Sequence, residues 1–227
     1  MSFAVHPHRV PVLPRLAAFA GLVLAFALSA LAVPAAGQPA LQEGKQYTRL
    51  KNAVPVETGN KVEVIEFFSY GCPHCADLEP VIEDWLKTLP PDVQFRRVPV
   101  LFQPRWVSLA KVYYTLEALG AASKLTPEVF SAVHKQGIDL SNEKTFFDWA
   151  ATKGLDRKKV EDMYGSFGIN GKVNRAKSLG GTYNVQSVPT VIVDGKFMTA
   201  SDRVGTHAQL PAAINALVDK ARAERKH

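Results

Sequence analysis

The spacing of apolar residues predicts a strand followed directly by a helix. Residues 61–68 form a β-branched and aromatic run of strand length, apolar enough for a central strand. Ser69-Tyr70-Gly71 ends this run. From Cys72 to Pro90-Pro91 the apolar residues recur at helical spacing. They are Leu78, Val81, Ile82, Trp85, Leu86 and Leu89.

The next part of the chain changes from strand signals to helix signals. Residues 93–101 predict a second strand, and a strand, a crossover helix and a strand make a parallel unit. Between residue 104 and about residue 168 only helix signals occur. Thr126-Pro127-Glu128 predicts a helix start with proline in the first turn, and Gly154 and Asp156 separate two further helices. One apolar helix face contains Trp106, Leu109, Ala110, Tyr113 and Leu116.

The last third returns to mixed structure. A helix near residues 169–183 precedes a strand at 188–193, a tight turn at Asp194-Gly195, a partner strand at 196–199 and an amphipathic helix at 208–223. Residues 38–60 predict an extended lead-in without a core of its own. We therefore predict an α/β protein, a thioredoxin-like fold with an inserted all-helical subdomain. Its parts are residues 38–103, the helical insertion 104–168, and residues 169–227.

The N-terminus has the pattern of an export signal. Arg9 and Arg15 precede an uncharged run at residues 16–31, and Ala30-Leu31-Ala32 fits a small-residue cleavage site. We expect residues 1–37 to be a signal peptide, cleaved after Ala32 or Gly37. A retained membrane anchor is the alternative, because the run is not far short of the ~20 residues that span a bilayer. In both cases the remaining chain is expected outside the cytoplasm.

Composition and charge narrow the range of partners. With 47% hydrophobic and 21% charged residues, the chain resembles an ordinary globular protein. The formal net charge is +6, and it falls to +4 without Arg9 and Arg15. The basic residues are interspersed with acidic ones, as at residues 156–162, which is typical of a solvated helix face. We therefore expect no nucleic acid partner.

The only two cysteines, Cys72 and Cys75, lie at the predicted start of the first helix. A cysteine is nucleophilic as its thiolate, and free N–H groups and the helix dipole stabilise that anion at a helix N-terminus. Cys75, one turn later, has the spacing to close a disulfide or resolve a mixed one. Pro73 fixes the backbone between them, and His74, when protonated, adds positive charge. Stabilising the thiolate makes the disulfide easier to reduce, so an oxidant is predicted.

Other roles for the cysteine pair are less well supported. A structural disulfide across three residues closes a very small loop and removes little unfolded-state entropy. A zinc site needs more ligands, and His74, His134 and His207 have no paired ligand spacing. Inert buried thiols are not expected on an exported chain. We expect no metal and no cofactor other than the Cys72–Cys75 disulfide, and we interpret His134 and His207 as structural.

Two further positions have an ordinary and a functional interpretation. Glu66 is a charge in an apolar strand: it is either an exposed alternate position or a partly buried carboxylate that tunes the cysteines. Glu79 is expected to face solvent. Pro189 is either a strand-entry proline or the second residue of a cis peptide bond. About 5–6% of the peptide bonds that precede proline are cis in folded proteins.

The segment from Glu66 to Cys75, with its Cys-Pro-His-Cys motif, resembles the active-site segment of the DsbA family, and Val188-Pro189-Thr190 resembles its cis-proline loop. The resemblance spans about residues 45–225. It implies that Cys72 is the exposed nucleophile and Cys75 its buried partner, with His74 tuning the thiolate. It also implies that Val188 and cis Pro189 hold substrate backbone, and that Glu66 is a buried acid.

The resemblance also implies a function and partners. It predicts a periplasmic dithiol oxidase that gives its disulfide to reduced, unfolded exported proteins through a mixed disulfide at Cys72. A DsbB-like quinone-linked membrane protein would re-oxidise the pair, and we expect a monomer. The alternatives are an isomerase or reductase on the same fold, or a peptide-binding holdase whose groove matters more than its thiols.

Overall fold

The computed structural model describes Met1, residues 3–4 and residues 41–225. The predicted signal peptide lies almost entirely outside the described residues. Among the described residues, no helix is both long enough and apolar enough to cross a membrane.

A five-stranded mixed sheet forms the centre of the fold, in the order β1-β5-β4-β2-β3. The strands are β1 (Tyr47–Arg49), β2 (Val62–Phe68), β3 (Val93–Pro99), β4 (Thr190–Val193) and β5 (Phe197–Thr199). The predicted parallel unit is present: β2 pairs in parallel with β3, with Glu66 opposite Arg97. Strand β4 pairs antiparallel with β2 and with β5. Asp194 and Gly195 both adopt positive φ, as the predicted tight turn requires.

Helices cover both faces of the sheet. They are α1 (Pro73–Leu86), α2 (Pro104–Ala118), α3 (Ala122–His134), α4 (Glu143–Thr152), α5 (Arg157–Gly165), α6 (Phe167–Thr182), α7 (Ser201–Val204) and α8 (Leu210–Arg225), with a 3-10 turn at His207–Gln209. Side chains alternate along a strand, so β2 contributes to two separate cores. Val62 and Val64 pack with α1 and α8. Ile65 and Phe67 pack with the helices of the insertion.

The elements agree with the predicted α/β thioredoxin-like fold, with three local corrections. The lead-in forms an edge strand, β1, because Tyr47 is buried and pairs with Thr199 of β5. Helix α1 ends at Leu86, before the predicted stop at Pro90. Thr126-Pro127 does not start a helix but lies inside α3, which begins at Ala122.

Physical reasons account for the position of α3. The side chain of Thr126 is fully buried, and its hydroxyl is used in a hydrogen bond with Tyr70 Oη at 2.8 Å, so it does not cap a helix. The first helical hydrogen bond is instead made by Leu125 N to Ala121 O, at 2.9 Å. The helix therefore begins one turn earlier than the proline indicates.

Candidate active site

The cysteine motif lies where β2 ends and α1 begins. Cys72 is the N-cap residue of α1 in an extended conformation, and Pro73 is the first helical residue. The backbone N–H of Cys72 donates to Ser69 O at 3.0 Å, and Cys72 O accepts from Ala76 N at 3.1 Å. The strand and the first helical turn thus fix the Cys72 backbone from both sides.

Cys72 is less exposed than the sequence predicts. Its exposed fraction is 6%, against 0% for Cys75, so both thiols are buried. The loop before β4 covers it: the Sγ atom of Cys72 lies 3.6 Å from the carbonyl oxygen of Val188, within the range of a thiol hydrogen bond. The prediction of an exposed nucleophile is therefore wrong in degree, although Cys72 remains the more accessible sulfur.

The site stabilises Cys72 as a thiolate. A hydrogen bond from the Cys75 thiol, backbone N–H groups of Cys75 and His74, and the charge of His74 together lower the pKa of Cys72 to about 6, against the opposing effect of burial. This agrees with the helix N-terminus argument, because the donors are the free N–H groups of the first turn. At neutral pH about 90% of such a thiol is ionised.

Cys75 has the opposite environment. Burial raises its pKa far above the ordinary thiol range, and the hydrogen bond with Cys72, the Cys72 charge and the charge of Glu66 add to the increase. Cys75 is therefore a neutral thiol at physiological pH. The pair consists of one thiolate and one thiol that donates to it.

Helices α2 and α3 of the insertion brace the loop that precedes Cys72. The ring of His134 contacts the Tyr70 carbonyl through Nε2 at 2.8 Å, which is a structural role as predicted. Gly71 lies under Trp106: a Cβ atom at Gly71 would lie 2.5 Å from Trp106 Nε1. A larger residue at position 71 would therefore displace the indole.

Glu66 belongs to a buried ionic cluster beneath the cysteines. Its side chain is 1% exposed, which confirms burial over the exposed alternative. Arg97 of β3 donates from Nε to Glu66 Oε2 at 2.8 Å and from Nη2 to Glu79 Oε2 at 2.7 Å. Glu83 adds a longer ion pair with Arg97 at 3.7 Å.

The prediction that Glu79 faces solvent is wrong. Glu79 is 3% exposed, because it follows Cys75 by four residues and precedes Ile82 by three and so lies on the buried face of α1. Burial raises the pKa of Glu79 to about 8, although Arg97 opposes the increase. Burial also raises the pKa of Glu66. Within the described part of the chain, the Oε1 atom of Glu79 has no hydrogen-bond partner, which is consistent with a carboxyl group that holds a proton.

The loop before β4 packs against the cysteine motif. The Val188–Pro189 peptide bond is cis. Thr190 Oγ1 donates to Ser187 O at 2.7 Å, which closes the loop over the bond. Pro189 is buried and Val188 is partly exposed, so the loop presents Val188 and its backbone beside Cys72.

His207, interpreted from the sequence as structural, lies in a group of side chains that its sequence spacing does not indicate. One ligand atom from each of His74, Asp77 and His207 lies within 4.8 Å of the other two. The first two turns of α1 carry two of these residues, and the 3-10 turn before α8 carries the third. Sequence spacing gave no signal because the fold joins positions more than a hundred residues apart.

Sequence reasoning missed Arg97, Phe102 and Trp106. The signal for Arg97 is a charged residue inside the predicted second strand, as Glu66 is a charged residue inside the first. Phe102 is 48% exposed, and its ring lies 5.8 Å from that of Trp106, which covers Gly71. An apolar surface thus borders the loop before Cys72.

Comparison with known proteins identifies relatives over most of the chain. A family model described as a DSBA-like thioredoxin domain matches residues 92–210. The thiol:disulfide interchange protein DsbA of Burkholderia cepacia is 42% identical over 180 residues, which are 79% of this chain and 82% of that protein. DsbA of Pseudomonas aeruginosa is 38% identical over 183 residues, 81% of this chain and 87% of the relative.

Solved structures agree with the sequence relatives. The crystal structure of Pseudomonas aeruginosa DsbA superposes with a TM-score of 0.79 at 37% identity, covering 82% of this chain and 97% of that one. The oxidoreductase NmDsbA1 from Neisseria meningitidis superposes with a TM-score of 0.74 at 32% identity, covering 84% and 98%. With its mixed sheet, its helical insertion and a Cys-Pro-His-Cys motif at the start of α1, the chain belongs to the DsbA family of thiol:disulfide oxidoreductases.

Proposed function

We propose that this protein is a periplasmic dithiol oxidase that passes its Cys72–Cys75 disulfide to reduced, unfolded exported proteins. Members of the DsbA family exchange the disulfide of their own cysteine pair and need no cofactor. The proposal rests on the difference between the pKa values of Cys72 and Cys75. The pKa of Cys72 is lowered to about 6 and that of Cys75 is raised, so the reduced pair is held as one stable thiolate and one thiol.

The reaction has two steps. A substrate thiolate attacks the sulfur of Cys72, the Cys72–Cys75 bond breaks, and Cys75 leaves with the electron pair and takes up a proton. A second substrate thiolate then attacks the substrate sulfur of the mixed disulfide and releases Cys72 as a thiolate. The substrate is oxidised to a disulfide and the pair is reduced by two electrons. A low pKa makes Cys72 a good leaving group, which favours transfer to the substrate.

The buried carboxyl groups are suited to supply the proton that Cys75 takes up. The charge of Glu66 acts on Cys75 and raises its pKa, so the two groups are electrostatically coupled. Glu79, with a pKa of about 8, holds a proton at neutral pH and shares Arg97 with Glu66. We assign Glu66 as a positioning residue that tunes proton transfer at Cys75.

The surface around Cys72 suits an unfolded polypeptide. Val188 presents its backbone beside Cys72 Sγ, where an extended substrate segment can lie along the loop. Phe102 and Trp106 offer apolar contact on the side of the loop before Cys72. Unfolded chains expose apolar side chains, so this combination favours reduced, unfolded substrates over folded ones.

Export and re-oxidation complete the proposal. The predicted signal peptide would place the chain in the periplasm, where a quinone-linked membrane protein of the DsbB type would restore the disulfide. The relatives are named as thiol:disulfide interchange proteins, so the isomerase, reductase and holdase alternatives are not favoured.

The test is the equilibrium of the Cys72–Cys75 disulfide with glutathione, combined with the pH dependence of Cys72 alkylation. We expect a potential well above that of glutathione and alkylation that follows a thiolate already formed near pH 6. A strongly reducing potential together with an ordinary thiol pKa would support the reductase instead. The Cys72→Ser, Cys75→Ser double variant serves as control: a protein that still acts on substrates without thiols would be a holdase.

A further inference from the structure

A group of metal-ligating side chains lies at the mouth of the active site. His74 and Asp77 are three residues apart near the N-terminus of α1, so they lie on one side of the helix. His207 approaches them from the 3-10 turn before α8. One ligand atom of each residue lies within 4.8 Å of the other two. Two imidazoles and one carboxylate are thus collected at one point from two separate elements.

The side chains are placed so that a metal ion could draw them together. Zinc–ligand bonds of about 2.0–2.2 Å keep any two ligand atoms within about 4.4 Å of each other. The ligand atoms in this structure lie within 4.8 Å of one another. His74 and Asp77 are exposed and His207 is partly exposed, so their side chains can close the remaining distance by rotation. Among the described residues, the side chains of His74 and Asp77 make no hydrogen bond, and His207 makes one.

The one existing bond of His207 supports a ligand role. Its Nδ1 lies 2.8 Å from the Oγ of Ser201, a buried residue of α7. Metal-binding histidines commonly use the second ring nitrogen in a hydrogen bond that fixes the ring and the tautomer. With Nδ1–H donating to Ser201, the free lone pair is on Nε2. The ring is therefore held with one nitrogen available.

The surroundings also favour a cation. His74 and His207 line a cavity of about 500 Å³ together with Val188, Pro189 and Asp202. Asp202 adds a second carboxylate to the cavity wall, and the open volume leaves room for the water that completes a three-ligand zinc site.

We propose that His74, Asp77 and His207 bind a divalent transition-metal ion, with Zn²⁺ as the best match to two imidazoles and one carboxylate. The inference does not rest on the proposed redox function, because none of the three ligands is a thiol. An ion bound there would occupy the cavity beside the Val188–Pro189 loop, at the entrance to Cys72.

The test is calorimetric titration of Zn²⁺ into the oxidised protein, purified without an oligohistidine tag. In the oxidised state the cysteines are joined in a disulfide and cannot supply thiolate ligands. We expect one saturable site. Asp77→Asn and His207→Ala should each weaken Zn²⁺ binding by at least about 10-fold, and Ser201→Ala by about 10-fold, as loss of a ligand and of its hydrogen-bonded support.

Controls separate this site from other binding. Asp84→Asn changes an exposed carboxylate of the same helix, which pairs with Lys87, and should bind Zn²⁺ as the native protein does. In NMR spectra Zn²⁺ should shift the imidazole signals of His74 and His207 but not those of His134. Equal binding by native protein, Asp77→Asn and His207→Ala, or binding only after reduction, would overturn the proposal.

Discussion

The side chain of Cys75 influences the reactivity of Cys72 through a hydrogen bond from its thiol. The thiol of Cys75 is the largest cause of the lowered pKa of Cys72, ahead of the backbone N–H groups and the charge of His74. A helix N-terminus alone would therefore give a weaker effect than the one in this protein. The contribution of Cys75 can be measured because serine retains a hydrogen-bond donor and alanine does not.

We predict that Cys75→Ala raises the pKa of Cys72, whereas Cys75→Ser changes it little. A hydrogen bond to a charged group is worth about 1.5–3 kcal/mol, which corresponds to an increase of about one to two pH units in the alanine variant. The measurement is the rate of iodoacetamide alkylation of Cys72 between pH 4 and pH 9. Identical pH profiles for the two variants would show that the backbone and His74 alone stabilise the thiolate.

Arg97 is the only cation that the described structure places within hydrogen-bond distance of both Glu66 and Glu79. We predict that Arg97→Leu lowers the free energy of unfolding by about 3–5 kcal/mol at pH 7, because it leaves the buried Glu66 without its ion-pair partner and Glu79 without its hydrogen-bond donor. Without Arg97 the folded-state pKa of Glu66 rises further above its unfolded value. The variant is then stabilised by protonation at low pH and loses stability as pH rises.

Urea unfolding at pH 4, pH 5.5 and pH 7 checks this prediction. The free energy of unfolding that Arg97→Leu loses relative to the native protein should be smallest at pH 4. Arg222→Leu is the control, since Arg222 pairs with an exposed Asp92 and its loss should have little effect at any of these pH values. A deficit that is the same at all three pH values would mean that Arg97 contributes by packing rather than by charge.

At the scale of elements, the sequence predicts best where one local pattern decides the structure. The apolar run of β2, the helix after Cys72 and the Asp194-Gly195 turn are of this kind, and all are present. Prediction fails where a tertiary contact decides. Strand β1 has only three residues and exists because β5 offers an edge, and Thr126 is buried in α3 because Tyr70 reaches its hydroxyl.

The same distinction applies to the site. The cysteine motif could be predicted because its residues are adjacent in sequence. The cluster of His74, Asp77 and His207 could not, because it depends on where α8 begins relative to α1. The burial of Glu79 was detectable in principle, since Cys75, Leu78, Glu79 and Ile82 have the spacing of one helix face.

The turn between β4 and β5 depends on a glycine for two reasons. Gly195 has φ +61°, and a Cβ atom there would lie 2.0 Å from the carbonyl oxygen of Val54, whose N–H donates to Gly195 O at 2.9 Å. We predict that Gly195→Ala lowers the free energy of unfolding by well over the ~1–2 kcal/mol that a left-handed conformation alone costs. Urea unfolding measures the loss.

Gly137→Ala provides the matched control. Gly137 has φ +67°, and no atom of the residues that the structure describes lies within 4 Å of a Cβ placed there, so alanine should cost only the ~1–2 kcal/mol of the left-handed conformation. If the two variants lose equal stability, the contact between Val54 and the turn adjusts to the methyl group without a measurable loss of stability, and close packing against Val54 is not a reason for glycine at position 195.

At the scale of the whole molecule, the redox state and the folding stability are linked. The thiolate exists only in the reduced protein, and its stabilisation by the folded structure therefore favours the folded reduced form over the folded oxidised form. Glu66 and Glu79 are present in both redox states, and their contributions differ between the two forms only through their coupling to the thiols. The difference in unfolding free energy between reduced and oxidised protein isolates the cysteine pair.

We predict that this difference grows in favour of the reduced form as pH rises from 6 to 8. The pKa of Cys72 is about 6 in the folded protein and about 8.5 in an unfolded chain. A depressed folded-state pKa gives stability that is lost as pH falls through 6 and is fully present above 8.5. Within this window the change approaches about 1.4 kcal/mol per pH unit.

Above pH 8.5 the raised pKa of Cys75 acts in the opposite direction, since its thiol ionises only in the unfolded chain. The comparison therefore belongs between pH 5 and pH 8, with urea unfolding in oxidising and in reducing buffer. The Cys72→Ser, Cys75→Ser variant should unfold identically in both buffers. In the native protein, a difference in unfolding free energy between the reduced and oxidised forms that stays constant from pH 5 to pH 8 would mean that the fold does not stabilise the Cys72 thiolate. The oxidising potential would then need another source, such as strain in the disulfide.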